Sequence, residues 1–81
     1  MEPIILYSQP DCVPCEITKK YFQDQGIKYI EKNVKQDKQA YNELIKKYKS
    51  YSTPTVVIGD QVFSGFKLNE IEQALFGEKS K

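Results

Sequence analysis

Cys12 and Cys15 are the only thiols in the chain, and only Val13 and Pro14 stand between them. They sit where a short apolar run, Pro3 to Tyr7, gives way to a helical pattern. Three positions apart in the first turn of a helix, two sulfurs share one face and lie close enough to join. The pair therefore asks for a strand before it and a helix after it, with the junction presented to partners. A disulfide spanning so few residues removes little chain entropy, so it is a poor structural staple. Its better use is chemical, because it can open and close and so exchange two electrons with a partner's sulfurs.

Eighty-one residues make one small domain. A chain this short buries about 60–65% of its unfolded surface, so each large apolar side chain matters. The net charge of +1 gives no electrostatic attraction to nucleic acid or to a membrane surface. No apolar run approaches the ~20 residues of a membrane span. The start of the chain lacks the basic segment of a secretory signal, and its apolar run stops at Tyr7. A cytoplasmic protein is expected, and there a lone cysteine pair is more often catalytic than structural. All twelve basic residues are lysines, so the bidentate carboxylate and phosphate grip of arginine is missing. Histidine is absent, which excludes imidazole acid–base chemistry and His-ligated metals.

Pro3 to Tyr7 suits a strand buried on both faces. Ser8 to Asp11 is a turn-rich loop. A helix is predicted from about Cys12 to Gln25, with Pro14 in the first turn, where a missing N–H costs nothing. Val13, Ile17, Tyr21 and Phe22 form its apolar stripe, and Gly26 closes it. Lys28 to Val34 reads as an edge strand guarded by lysine, with Tyr29, Glu31 and Asn33 on one face. Asp37 is a good N-cap for a helix from Lys38 to about Lys49, buried through Tyr41, Leu44, Ile45 and Tyr48. Pro54 to Ile58 and Gln61 to Ser64 form a hairpin about Gly59-Asp60. Leu68, Ile71, Leu75 and Phe76 stripe a last helix that Gly77 ends, before a polar tail from Glu78 to Lys81. The order is β-α-β-α-β-β-α: an α/β chain with a four-stranded mixed sheet flanked by helices.

With Cys12-Val13-Pro14-Cys15 after the first strand, Ser52-Thr53-Pro54-Thr55 opening the third and Phe63-Ser64-Gly65-Phe66-Lys67 before the last helix, the chain resembles the glutaredoxins, small proteins of the thioredoxin fold. The resemblance covers essentially the whole chain. Ser64-Gly65-Phe66-Lys67 looks most like the redoxins that supply electrons to ribonucleotide reductase, which typically carry Ser-Gly-Phe-Arg-Pro-Asp there. Leu68-Asn69 supply none of the carboxylates with which ordinary glutaredoxins hold glutathione. Pro14 precedes the second cysteine, as in thioredoxins, which implies a more reducing centre than in a standard glutaredoxin.

The resemblance implies a thiol–disulfide oxidoreductase with no tightly bound cofactor beyond the Cys12–Cys15 disulfide. Cys12 is expected to be the nucleophile, at the exposed start of the helix, where unpaired N–H groups favour a thiolate. Asp11 opposes that effect, and Lys67 would offset it if the fold brought it near. Cys15 is the resolving thiol. A substrate groove is expected around Val13, Pro14, Thr53, Pro54, Gly65 and Phe66. Considered alone, Thr53–Pro54 would be trans; the resemblance implies cis, with the Thr53 backbone open to an extended peptide or glutathione. Gly65 and Phe66 read equally well as a groove wall or as a turn glycine and a core phenylalanine. Tyr7 is expected in the core. Expected partners are a disulfide-bearing protein, with a thioredoxin reductase-like flavoenzyme or glutathione as reductant, acting on a monomer. The rival from another class is a metal or iron–sulfur module, whose two thiolates need a second copy to complete four ligands.

Overall fold

The structure, a computed structural model, describes residues 4–76. Its elements are β1 (Ile4–Ser8), α1 (Val13–Asp24), β2 (Ile30–Asn33), α2 (Lys38–Asn42, running on as a π-type turn over Glu43–Lys47), β3 (Thr55–Ile58), β4 (Gln61–Ser64) and α3 (Leu68–Phe76). The order is the one expected, and the predicted helix stop at Gly77 and the tail lie outside the described residues. The four strands form one sheet in the order β2-β1-β3-β4. β1 runs parallel to β2 and antiparallel to β3, and β3 pairs antiparallel with β4. No helix among the described residues is long and apolar enough to cross a membrane.

Both faces of β1 are covered, which is why its sequence is almost continuously apolar. Ile4, Leu6 and Val56 pack with Phe22 of α1 and Ile71 of α3 on one side. Tyr7 and Val57 pack with Ala40 and Leu44 on the other. Tyr7 is therefore a core residue, as expected. β2 is an edge strand, also as expected, but it is shorter than the predicted Lys28 to Val34. Tyr29, just ahead of it, lays its ring 5.1 Å from that of Phe22. Lys32 and Glu31 point to opposite faces and find carboxylate and ammonium partners there, Glu43 and Lys19 respectively.

Three predicted stripes need correction. On α1, Val13 and Ile17 face solvent, and the buried side is Cys15, Thr18 and Phe22. The cysteine pair turns its second sulfur inward, so Thr18, one turn further, follows it. Thr18 tolerates burial because its hydroxyl donates to Pro14 O at 2.9 Å. On α2, Tyr41 is exposed and Ala40 goes inward beside Leu44. Asp37 caps the helix as predicted, accepting from the Gln39 and Ala40 amides, but the helix is not a single α-helix to Lys49. Its last part widens, with Tyr48 N donating to Glu43 O at 3.1 Å, and Lys49 ends it at φ 56°. On α3, Phe76 is exposed while Ile71 carries the packing.

A polar tie fastens α2 to the sheet. The Tyr7 hydroxyl donates to Glu43 Oε1 at 3.0 Å, and Lys32 Nζ meets the same oxygen at 3.0 Å. The Lys32 ammonium, then the Tyr7 hydroxyl, hold the Glu43 carboxyl below its ordinary value of 4.5. Burial, reinforced by Glu43, pushes the Tyr7 phenol well up. A depressed carboxyl stabilises the fold fully above its unfolded pKa, and that stability is lost as pH falls through the folded value. Urea unfolding across the acid range is therefore expected to show stability dropping below about pH 4.5, with Glu43→Gln flattening that drop. An equally steep drop in the variant would remove Glu43 from the account.

Candidate active site

The loop from β1 into α1 turns sharply at Asp11, which adopts φ 58°, a conformation that aspartate tolerates better than most residues. That turn leaves Cys12 as the N-cap of α1, with extended backbone. Serine, threonine or aspartate usually fills such a position, where a side-chain oxygen accepts from a free amide of the first turn. Here Cys12 Sγ does so, accepting from the Cys15 amide at 3.2 Å. Val13 and Pro14 form the first helical positions, and Pro14 needs no hydrogen bond there.

The two cysteines are joined, with Cα atoms 5.2 Å apart. Cys15 is fully buried and Cys12 is 9% exposed. Cys12 is thus less open than the sequence led us to expect. The reason is Thr53, whose carbonyl oxygen and hydroxyl both lie 4.0 Å from Cys12 Sγ. The Thr53–Pro54 bond is cis, as the resemblance implied. Among the described residues the Thr53 amide has no hydrogen-bond partner.

Gly65 is a turn glycine, and Phe66 lies outside the core. Gly65 adopts φ 89°, and a Cβ there would meet nothing, so its backbone angle is what calls for glycine. Its amide donates to Pro54 O at 2.9 Å, which ties this corner to the cis bond. Phe66 is 49% exposed and is not a core residue. Val13, at 69%, is the other open apolar side chain among the predicted site residues. The structure thus brings Cys12, Cys15, Thr53, Pro54 and Gly65 into one connected arrangement, with Val13 and Phe66 presenting apolar surface. Lys67 forms no ion pair with Asp11 among the described residues.

A cleft of about 370 Å³ opens beside Thr53 and runs between the loop ahead of it and α2. Val34, Tyr41, Leu44, Ile45 and Tyr51 supply its apolar lining, Gln9, Ser52 and Thr53 its polar part. No charged side chain lines it. No group of three His, Cys, Asp or Glu side chains among the described residues is placed to hold a metal ion. One buried polar residue that the sequence reading did not single out, Ser50, bonds to both Thr55 and Ser64. Nothing in the local sequence marks it, since its partners lie five and fourteen residues away.

The family model for glutaredoxin matches residues 4–63, most of the chain. The chain belongs to the glutaredoxin family. It is 45% identical to a single-residue variant of the thioredoxin-like protein BC3987, covering 93% of this chain and 96% of that one, with a TM-score of 0.89. It is 27% identical to the glutaredoxin-like protein NrdH-redoxin from Escherichia coli, over 96% of this chain and 99% of that one, with a TM-score of 0.77. An uncharacterized glutaredoxin-like 8.6 kDa protein of the rubredoxin operon of Clostridium pasteurianum is 29% identical over 72 residues, 89% of this chain and 96% of the relative. The chain is thus a glutaredoxin-like member of the thioredoxin superfamily, and its joined cysteine pair supports a thiol–disulfide redox role.

Capping geometry separates the two sulfurs once the bond is reduced. The Cys15 amide points at Cys12 Sγ, while Cys15 Sγ lies in the core. A thiolate at an N-cap is favoured by that amide and by the positive helix end. Iodoacetamide at neutral pH is expected to alkylate Cys12 well ahead of Cys15, as read by peptide mass after partial labelling. Equal labelling of both thiols would contradict the capping account.

Proposed function

We propose that the chain is a dithiol oxidoreductase that reduces protein disulfides, with Cys12 as nucleophile and Cys15 as resolving thiol. The observation that carries this is the position of Cys12 Sγ, capped by the Cys15 amide at 3.2 Å and set against Thr53 at 4.0 Å. The Cys12 thiolate attacks one sulfur of the substrate disulfide. That bond breaks, the substrate's other sulfur leaves as a thiolate, and a mixed disulfide joins Cys12 to the substrate. Cys15 then gives up its proton and attacks Cys12 Sγ. The mixed disulfide breaks, the second substrate thiolate leaves, and Cys12–Cys15 is oxidised. The substrate gains two electrons, its two thiolates take up the Cys15 proton and one proton from solvent, and the reverse sequence with an external reductant resets the pair.

Thr53 is the docking element in this scheme. Its free amide and carbonyl can pair with an extended substrate backbone as an added strand pairs with a sheet edge. Val13, Pro14 and Phe66 flank the reacting sulfur with apolar surface, and Gly65, at φ 89°, lets the chain turn beside Pro54. The uncharged cleft beside Thr53 suits a protein segment better than glutathione, whose two carboxylates find no cation in its lining. Ribonucleotide reductase is the acceptor that the Ser64-Gly65-Phe66-Lys67 resemblance implies, and a thioredoxin reductase-like flavoenzyme the donor.

A coupled assay tests this directly, with insulin as disulfide substrate and NADPH oxidation as readout. Reducing power is supplied either by thioredoxin reductase or by glutathione with its reductase. Turnover with thioredoxin reductase, abolished in Cys12→Ser, is the expected result. Turnover with glutathione alone would reassign the reductant. Activity in neither system, or activity that survives Cys12→Ser, would overturn the mechanism.

A further inference from the structure

Three hydroxyls and one carbonyl form a hydrogen-bonded chain beside the cis bond. Thr55 Oγ1 donates to Ser52 O at 2.5 Å, Ser50 Oγ lies 2.8 Å from Thr55 Oγ1, and Ser64 Oγ lies 2.6 Å from Ser50 Oγ. Each hydroxyl has a single proton, and a carbonyl can only accept. Thr55 therefore gives its proton to Ser52 O, and must accept from Ser50. Ser50 has then used its own proton, so Ser64 donates to Ser50. The direction is fixed along the whole chain: Ser64 to Ser50 to Thr55 to Ser52.

Position gives this chain its mechanical meaning. Thr55 and Ser64 are register partners on β3 and β4, so their side chains share a face of the sheet. Ser50 begins the loop that leads to Thr53, and its own amide donates to Leu44 O at 3.0 Å, at the end of the π-type turn. The hydroxyls thus pinch the loop at its two feet, Ser50 and Thr55, and clamp it to β4. The Gly65 amide, bonded to Pro54 O, holds the same loop at a second point. The chain is dry at its centre, because Ser50 is 3% and Thr55 0% exposed. Breaking a bond there is not made good by water.

We propose that Ser50, Thr55 and Ser64 are positioning residues for substrate capture. Their one-way hydroxyl chain fixes the spacing between Thr53–Pro54 and Gly65–Phe66, so that an incoming peptide meets both at once. The proposal rests on the assignment of those two segments to the substrate groove. None of the three residues touches a reacting sulfur, so the chain acts through binding of the peptide and not on the cysteine pair.

Ser50→Ala tests it. The variant is expected to fold, since Thr55 keeps its acceptor and the half-buried Ser64 can turn to water. The KM for insulin should rise about three- to tenfold, the worth of one or two lost hydrogen bonds, with kcat held. Reduction of Cys12–Cys15 by a small dithiol, which uses no peptide groove, should keep its wild-type rate. Ser64→Ala should raise KM likewise, Ser64→Thr should restore it, and Ser50→Ala/Ser64→Ala should add nothing beyond Ser50→Ala. Amide exchange at Gly65 gives a readout independent of turnover: it should quicken in Ser50→Ala while exchange at Val57 does not. An unchanged KM together with unchanged Gly65 exchange would overturn the proposal, as would additive effects of the two alanines. Should Ser50→Ala fail to fold, Ser64→Ala and Ser64→Thr carry the same comparison. Failure of the functional assignment is separate, since it shows as wild-type protein that does not turn insulin over.

Discussion

A helix that begins at a surface junction leaves its first amides without partners, and in this chain a sulfur fills the gap. Cys12 occupies the N-cap of α1 and accepts from the Cys15 amide. That contact sets the rest of the site. It goes with Cys15 in the core and Cys12 at the outer end of the helix, and leaves the first turn's positive field at the Cys12 sulfur. The same geometry turns Val13 outward and Thr18 inward, so the helix meets the sheet along small side chains at its start and through Phe22 further on. Function and packing use one element in different ways: the first turn serves the sulfurs, and the second and third serve the core.

The sheet supplies the opposing wall. β1 delivers the cysteine loop from its C-terminal end, and β3, antiparallel to it, starts at the same end with Thr55 paired to Tyr7. Thr53 and Pro54 precede β3, so the strand register carries them to Cys12. β4 returns from the hairpin to place Ser64 opposite Thr55 and Gly65 within hydrogen-bond reach of Pro54 O. Three segments far apart in sequence thus converge at one end of the sheet. Two aromatic residues of this end, Tyr7 and Phe66, have opposite surroundings. The first is enclosed and its hydroxyl is satisfied by Glu43, while the second is left half open.

Much of this was legible in the sequence, for identifiable reasons. Element order follows from strong punctuation: Gly26, Asp37, Gly59 and Gly65 each stand where the chain turns or a helix starts. The cysteine pair announces itself by spacing, and the cis bond by the resemblance that the Ser52-Thr53-Pro54-Thr55 segment carries. Helix faces were harder to read. Apolar periodicity favoured Val13 and Ile17 over Cys15 and Thr18, because a cysteine and a threonine register weakly as core residues although both are fully enclosed. On α2 a stripe through Leu44 can continue three or four residues earlier, and the small Ala40 is the buried side chain where the larger apolar Tyr41 suggested itself. The hydroxyl chain through Ser50 was invisible, since polar residues brought together by strand register leave no local pattern.

The central claim is that Cys12 engages the substrate and Cys15 releases it. Trapping the intermediate tests it most directly. With Cys15→Ser the second attack cannot occur, so a disulfide-bearing protein should remain covalently attached through Cys12, as resolved by non-reducing gel and peptide mass. With Cys12→Ser no such complex should accumulate. A trapped complex held through Cys15, or none in the Cys15→Ser protein, would contradict the roles assigned to the two sulfurs.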